Sequence, residues 1–348
     1  MSELDLSRKD YLAEKIVIVD GQGGCGKTMF SPIMAAFDRV ELLTYAHELE
    51  YMCALHFLGK LDSNAAATMA RMFTDMQLYN TMMARETNFR WSDLSSAFRD
   101  RPLRYLKRLF QKGDEYIPER IHKEKPILHL TTHNILGISE PLFSGLGERL
   151  FLIEIVRHPL YMIKQNIVSF ERLTNSPRYF TLHIKHKEQE MPYYAHGWED
   201  MFMRSNAAER AIYAMHYLSQ RSREAKEKLV AHHSAHVITI PFENFVINPW
   251  SYLRTIEEMI GTKMTRWTKR MLKKQNIPRK MYAEGIRLPI YQTYGWQPPT
   301  SLGEQEEFRI RREFVKRLAS EEAISVLDRL SSDYEKMYLS KGEIPQRQ

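Results

Sequence analysis

Cysteine is nearly absent: Cys25 and Cys53 are the only two in 348 residues. That excludes a disulfide framework and a zinc site built from repeated cysteine pairs, and it fits a reducing compartment. Long apolar runs are missing as well, none reaching the roughly 18 residues that cross a bilayer. The first residues, MSELDLSRKDYLAEK, have no apolar stretch of the kind a secretion signal requires. The expectation is a cytoplasmic chain with no membrane span. Neither charge sign dominates: 50 Lys and Arg against 43 Asp and Glu leave a formal +7. Such a balance favours anionic ligands without supplying a nucleic-acid tail, so no nucleic-acid partner is expected. No internal repeat is seen, and 43% hydrophobic with 27% charged residues is enough to bury a sizeable core. One large domain over residues 1–348 is expected, with helical insertions at about 38–120 and 171–235.

Apolar β-branched runs predict the strands. KIVIVD, Lys15 to Asp20, stops at a glycine cluster, as a buried parallel strand would. PILHLTT (Pro126 to Thr132), RLFLIEIV (Arg149 to Val156) and HVITIPF (His236 to Phe242) have the same character. Apolar spacing at three and four residues predicts helices over Tyr45–Leu58, Ala65–Met83, Ala207–Val230, Pro249–Ile260 and Glu321–Met337. The alternation implies an α/β fold: a three-layer parallel sheet covered by helices, of the P-loop nucleoside-triphosphatase type. The polar stretch Thr174 to Pro192 reads as a surface insertion or a mobile loop over a site.

GQGGCGKT, Gly21 to Thr28, matches GxxxxGKT immediately after a predicted strand and before a predicted helix, the context in which this motif binds phosphate. The glycines let the backbone curl so that consecutive N–H groups and a helix N-terminus face an anion. Lys27 adds a positive charge and Thr28 a hydroxyl. Cys25 reads as a small residue, with no thiol chemistry assigned. A magnesium-dependent nucleotide enzyme also needs a carboxylate at the metal, usually an Asp closing a second apolar strand. The later strands instead run into His133, Arg157 and Glu243, leaving Asp20 and Glu154 as unusual candidates. A transfer that uses no metal explains this better, so no metal is expected; a Mg-ATP-dependent small-molecule kinase is the alternative.

The residues resemble the sulfotransferase family, whose members bind 3′-phosphoadenosine 5′-phosphosulfate (PAPS) in a modified P-loop. The resemblance runs from Gly21 through THNILGISEPLFSGLGERLFLIEIVRHPLYMIKQNIVSF (Thr132 to Phe170), ITIPFENFVINPWSYLRTIEEMIGT (Ile238 to Thr262) and ASEEAISVLDRLSSDYEKMY (Ala319 to Tyr338). It implies PAPS as co-substrate, with Lys27 and His133 as catalytic residues. It also implies Gly23, Gly24, Cys25, Gly26, Lys27, Thr28, Met29, Arg157, Gln165 and Trp296 as its binding residues. His133 would take a proton from the acceptor, and Arg157 would hold the 3′-phosphate. The family's lysine aligns with Gly24, whereas here it is Lys27, and the family's phosphate-binding serine corresponds to Gln165, with Asn166 beside it. Arg85, Arg90 and Trp91 are the candidates for meeting the acceptor, a hydroxyl or amine of a carbohydrate, lipid or small metabolite. A nucleotide-binding protein without catalysis is a third reading; oligomeric state is not legible.

Overall fold

The computed structural model describes residues 4–91, 93, 95–173, 176–230, 236–285, 292 and 303–339. Its main sheet has five strands: β1 (Ile16–Asp20), β2 (Thr44–Tyr45), β3 (Leu128–Thr131), β4 (Leu150–Val156) and β7 (His236–Pro241). They lie in the order β2-β3-β1-β4-β7, and every neighbouring pair is parallel. β1 (IVIVD) is buried at all five positions, which is why it carries an unbroken apolar run rather than an alternating one. The remaining two strands, β5 (His183–His186) and β6 (Gln189–Pro192), form an antiparallel hairpin within the polar stretch 174–192, of which 174 and 175 lie outside the described residues.

The helices begin with α1 (Lys27–Ala35), α2 (His47–Phe57) and α3 (Ser63–Met82), then α4 (Pro102–Arg108), α5 (Tyr116–Glu124) and α6 (Glu140–Leu146). After β4 come α7 (Pro159–Val168), α8 (Glu199–Arg204) and α9 (Ala207–Val230), and after β7 come α10 (Phe242–Ile247), α11 (Trp250–Ile260) and α12 (Arg266–Lys274). Helices Glu304–Lys316 and Glu321–Tyr334 close the described chain. Buried side chains from Ala13 to Leu330 form one continuous core. Pro159 opens α7 as expected, its missing N–H costing nothing at the first turn, while the His158 ring accepts from the Leu160 amide at 3.2 Å. Among the described residues no helix is long and apolar enough to cross a membrane.

The parallel sheet gives the molecule two distinct edges. The strand C-termini, where the loops after β1, β3 and β4 converge, form the upper edge, the usual binding edge of open α/β sheets. At the lower edge Val40 bridges Ile127 ahead of β3. There the fully buried Glu41 receives Arg108 at 2.7 and 2.8 Å and is also paired with Arg104. Arg101 donates to the Val40 carbonyl at 3.0 Å, so one carboxylate and three arginines fasten the insertion between β2 and β3 to the foot of the sheet.

Candidate anion-binding loop and its neighbours

Asp20 ends β1 and is buried. It accepts Thr132 Oγ1 at 2.9 Å, the Ile135 amide at 3.1 Å and the Leu136 amide at 2.9 Å. Its lone pairs thus serve to tie the loop after β3 to the end of β1. Two glycines beyond it are required by geometry: Gly21 (φ 143°) and Gly26 (φ 110°) lie where L side chains strain, and an added Cβ would sit 2.4 Å from the Ile155 carbonyl oxygen and 2.4 Å from the Phe242 ring respectively.

The loop's carbonyls are taken up by the protein itself. Lys27 Nζ donates to the Gly21 carbonyl and to Gln22 O at 3.2 Å. The Cys25 amide also donates to Gln22 O at 3.2 Å, Asn166 Nδ2 to Gly23 O at 3.0 Å and Arg157 Nη1 to Gly24 O at 3.0 Å. The amides of Gly23, Gly24, Gly26 and Thr28 donate to no group among the described residues, while that of Lys27 donates to the Cys25 thiol. With carbonyls turned inward to donors and amides left over at the start of α1, the loop has the arrangement an anion cradle requires. Cys25 is buried beside Lys27, and burial pushes its thiol up, so it is not poised as a thiolate. Met29 points into the core and its amide donates to Gly26 O at 3.0 Å; it presents nothing to a ligand.

Arg157 follows β4 and lies along the loop. Its guanidinium is 4.1 Å from the Phe242 ring centre and its Nε is 4.0 Å from Glu243 Oε1. Burial pushes the buried Glu243 carboxyl upward against the pull of Arg157 and of Tyr334, whose hydroxyl donates to it at 2.5 Å. Gln165 rests on Gly24, with its Oε1 3.1 Å from where a Cβ would be. Arg157, Gln165 and Asn166 therefore reach the loop from a single connection, the end of β4 and the helix it feeds.

His133 leaves β3 beside the loop: the next residue, Asn134, donates its amide to Gly21 O at 3.4 Å. Glu50 of α2 holds His133 twice, accepting its amide at 2.6 Å and its Nδ1 at 3.0 Å. A carboxylate only accepts, so Nδ1 carries the proton and Nε2 is left as the proton-accepting atom, on a side chain 44% exposed. Burial works to raise the Glu50 carboxyl, but hydrogen bonds from His133 and His47 hold it down to about 2; His47 in turn is raised by its bond to Glu50. Tyr45, His47 and His133 are parallel within 10°, with ring centres 6.1, 6.3 and 6.4 Å apart.

Glu41 is likewise held at about 2, against its burial, by Arg104 and Arg108. Both carboxyls have folded values below the ordinary 4.5, so the stability they contribute is present above about pH 4.5 and is lost as pH falls toward 2. Up to about 3 kcal/mol each is at stake. Urea unfolding midpoints should drop steeply between those two values, and Glu50→Gln should flatten part of the drop; a midpoint constant over that window would refute this account.

A pocket of about 90 Å³ adjoins the loop, lined in part by Gln22, Asn134, Glu154, Arg157, Arg223 and Lys226. Gln22 Oε1, Asn134 Oδ1 and Arg157 Nε on its wall are buried without a hydrogen-bond partner, and such groups normally find one. Glu154, in register with Asp20, accepts Lys226 at 2.8 Å and Thr239 Oγ1 at 2.9 Å. Both carboxylates that a magnesium ion would use are thus engaged with the protein.

The structure brings together Gly23, Gly24, Cys25, Gly26, Lys27, Thr28, Arg157 and Gln165, with His133 on the adjoining strand end. It does not bring Arg85, Arg90 and Trp91 to them. Arg85 lies just past the end of α3, paired with Asp114 at 3.3 Å. α3 ends at the lower edge, where Thr81 O meets Arg108 at 3.5 Å and Met82 O meets Arg120. Arg90 pairs with Asp93 at 3.3 Å, and Trp91 stacks near Phe98, just ahead of the arginines on Glu41. All three stand at the opposite end of the sheet from the loop. Trp296 lies outside the described residues. Glu50 and His47 were not singled out from sequence, because an acid and a histidine three residues apart on a predicted helix look like a solvated face.

No family model matches the sequence, and no curated protein does. Among solved structures the chain is similar to the sulfotransferase domain from the Synechococcus PCC 7002 olefin synthase, at 13% identity over 95% of this chain and 98% of that one, with a TM-score of 0.42. It is similar to the sulfotransferase domain from the curacin biosynthetic pathway at 13% identity over 97% and 100%, TM-score 0.45. To the sulfotransferase STF9 from Mycobacterium avium it is similar at 14% identity over 96% of this chain and 79% of that one, TM-score 0.41.

Proposed function

We propose that this chain is a sulfotransferase that moves the sulfuryl group of PAPS to a hydroxyl or amine of a small molecule or glycan. The observation that carries this reading is the loop: four amides free of protein acceptors, with Arg157 fixed along its rim and His133 Nε2 at the adjoining strand end. The amides and Lys27 would neutralise charge on the transferred group and on the departing 5′-phosphate. Arg157, whose Nε has no hydrogen-bond partner, would take a second phosphate, the one that distinguishes PAPS from ATP. His133 Nε2 would accept the acceptor's proton as the new O–S or N–S bond forms and the S–O bond to the nucleotide breaks, releasing adenosine 3′,5′-bisphosphate. Glu50 stabilises the resulting imidazolium. Nothing in the scheme requires a metal, and Lys27 would leave its carbonyl partners to follow the anion.

The second reading, a Mg-ATP-dependent kinase, is favoured by the GxxxxGKT register. It asks Asp20 or Glu154 to give up the hydrogen bonds each now accepts. Titration separates the two. Adenosine 3′,5′-bisphosphate in EDTA should raise the melting temperature, and Arg157→Ala should weaken its binding about tenfold or more, the loss of a charge-assisted pair. Stabilisation by Mg-ATP alone would make the protein a kinase instead.

A further inference from the structure

The lower edge carries an apolar and cationic face that the reading above does not use. On α4, Arg104 and Arg108 turn inward to Glu41 and Tyr105 is fully buried, so the opposite side is left to Leu103 and Lys107, with Phe110 in the turn just past the helix end. Leu103 is 72% exposed, Phe110 89% and the nearby Trp91 76%. Leu109 and Phe98 are exposed beside them. Exposed large apolar side chains gathered in one segment mark a contact surface rather than ordinary scatter.

Next to it stands α12. Residues 263–274 hold Lys263, Arg266, Lys269, Arg270, Lys273 and Lys274 and no Asp or Glu. All six are exposed, and none makes an ion pair among the described residues. Contacts join the two patches: Lys274 Nζ donates to Arg99 O at 3.3 Å, and Phe98 lies 5.4 Å from the Trp91 ring. Thr265, Thr268 and Arg101 all bind the chain at the foot of α1, through Ala36 O and Ala35 O. The neighbouring carboxylate Asp100 is buried and paired with Arg101 at 3.1 Å, while Asp114 is paired with Arg85 at 3.3 Å.

We infer that this face docks on an anionic phospholipid bilayer, with Leu103, Phe110 and Trp91 entering the headgroup boundary and the α12 cations over the lipid phosphates. Cations alone would suit any polyanion. The projecting phenyl, leucyl and indole groups point to a bilayer, because they gain from burial among acyl chains and have no counterpart on a phosphate backbone. The inference is independent of the proposed reaction.

The test is sedimentation of the full chain with vesicles of phosphatidylcholine alone or with about 30 mol% phosphatidylserine, alongside a duplex DNA probe. Binding to the phosphatidylserine vesicles and not to phosphatidylcholine alone, weakened by salt, is expected. K269E/R270E/K273E should lose at least about tenfold. L103S/F110S should lose a similar factor on vesicles and nothing on DNA. These side chains are exposed, and unchanged far-UV circular dichroism would verify folding. No sedimentation with phosphatidylserine would overturn the inference. So would L103S/F110S binding vesicles like the parent, since the face would then be a general polyanion or nucleic-acid site.

Discussion

Glu41→Ala should lower the free energy of unfolding by about 3–5 kcal/mol, the usual cost of removing one partner from a buried charge cluster. The carboxylate is fully buried and answers Arg104 and Arg108, the latter buried as well. Once it is gone, two guanidiniums remain in place with only Glu124, 3.9 Å from Arg108, to offset them, and water must enter or the insertion must lift. Glu41→Gln keeps the shape and one acceptor, so it should cost less. Arg108→Ala combined with Glu41→Ala should cost less than the sum of the two, since each change alone leaves the other's charge behind. Urea midpoints at neutral pH measure all three; a loss under about 1 kcal/mol for Glu41→Ala would mean the cluster is relaxed and hydrated.

His133→Ala should cost about 10²- to 10⁴-fold in turnover, the range for removing a general base. Affinity for adenosine 3′,5′-bisphosphate should stay within about twofold, because no cradle amide belongs to His133. The readout is transfer of labelled sulfate from PAPS to a panel of phenol, sugar and amine acceptors. Glu50→Gln should fall between the variant and the parent: it can still hold the ring but no longer stabilises the imidazolium, so its loss should appear in kcat and in a displaced pH profile rather than in nucleotide affinity. Equal turnover for His133→Ala and the parent would remove His133 from the chemistry while leaving the anion cradle untouched.

Much of the upper edge was legible in the residues. The strands stand where the apolar runs place them, β3 within Pro126–Thr132, β4 within Arg149–Val156 and β7 within His236–Phe242; β3 and β4 are buried on both faces and need no partner pattern to be recognised, while the edge strand β7 is partly exposed but keeps its β-branched run. The loop could be read because glycine spacing and a following Lys-Thr are local properties. β2 was not: two residues, Thr44–Tyr45, stand where a helix from Tyr45 was expected, and the helix begins at His47. Pairing with β3 overrides local propensity there. Arg85, Arg90 and Trp91 were misplaced for a different reason. They lie just after a 20-residue helix, and periodicity gives a helix its faces without telling which end of the sheet it will reach. Glu50 was invisible because its significance rests on a partner 83 residues away.

Lys27's two carbonyl partners bear on how the loop meets any anion. With its ammonium already seated on Gly21 and Gln22, the cation is not waiting in solvent, and capture is a trade of ligands rather than an addition. The incoming oxygens must outcompete two backbone carbonyls for the same protons, and those carbonyls must then be resatisfied or hydrated. A singly charged anion has little with which to win that exchange, whereas a group spreading several negative charges across the cradle does. On the proposed function, the loop would therefore carry a charge threshold, set by its own self-satisfaction, that favours a polyanionic nucleotide over chloride and simple carboxylates.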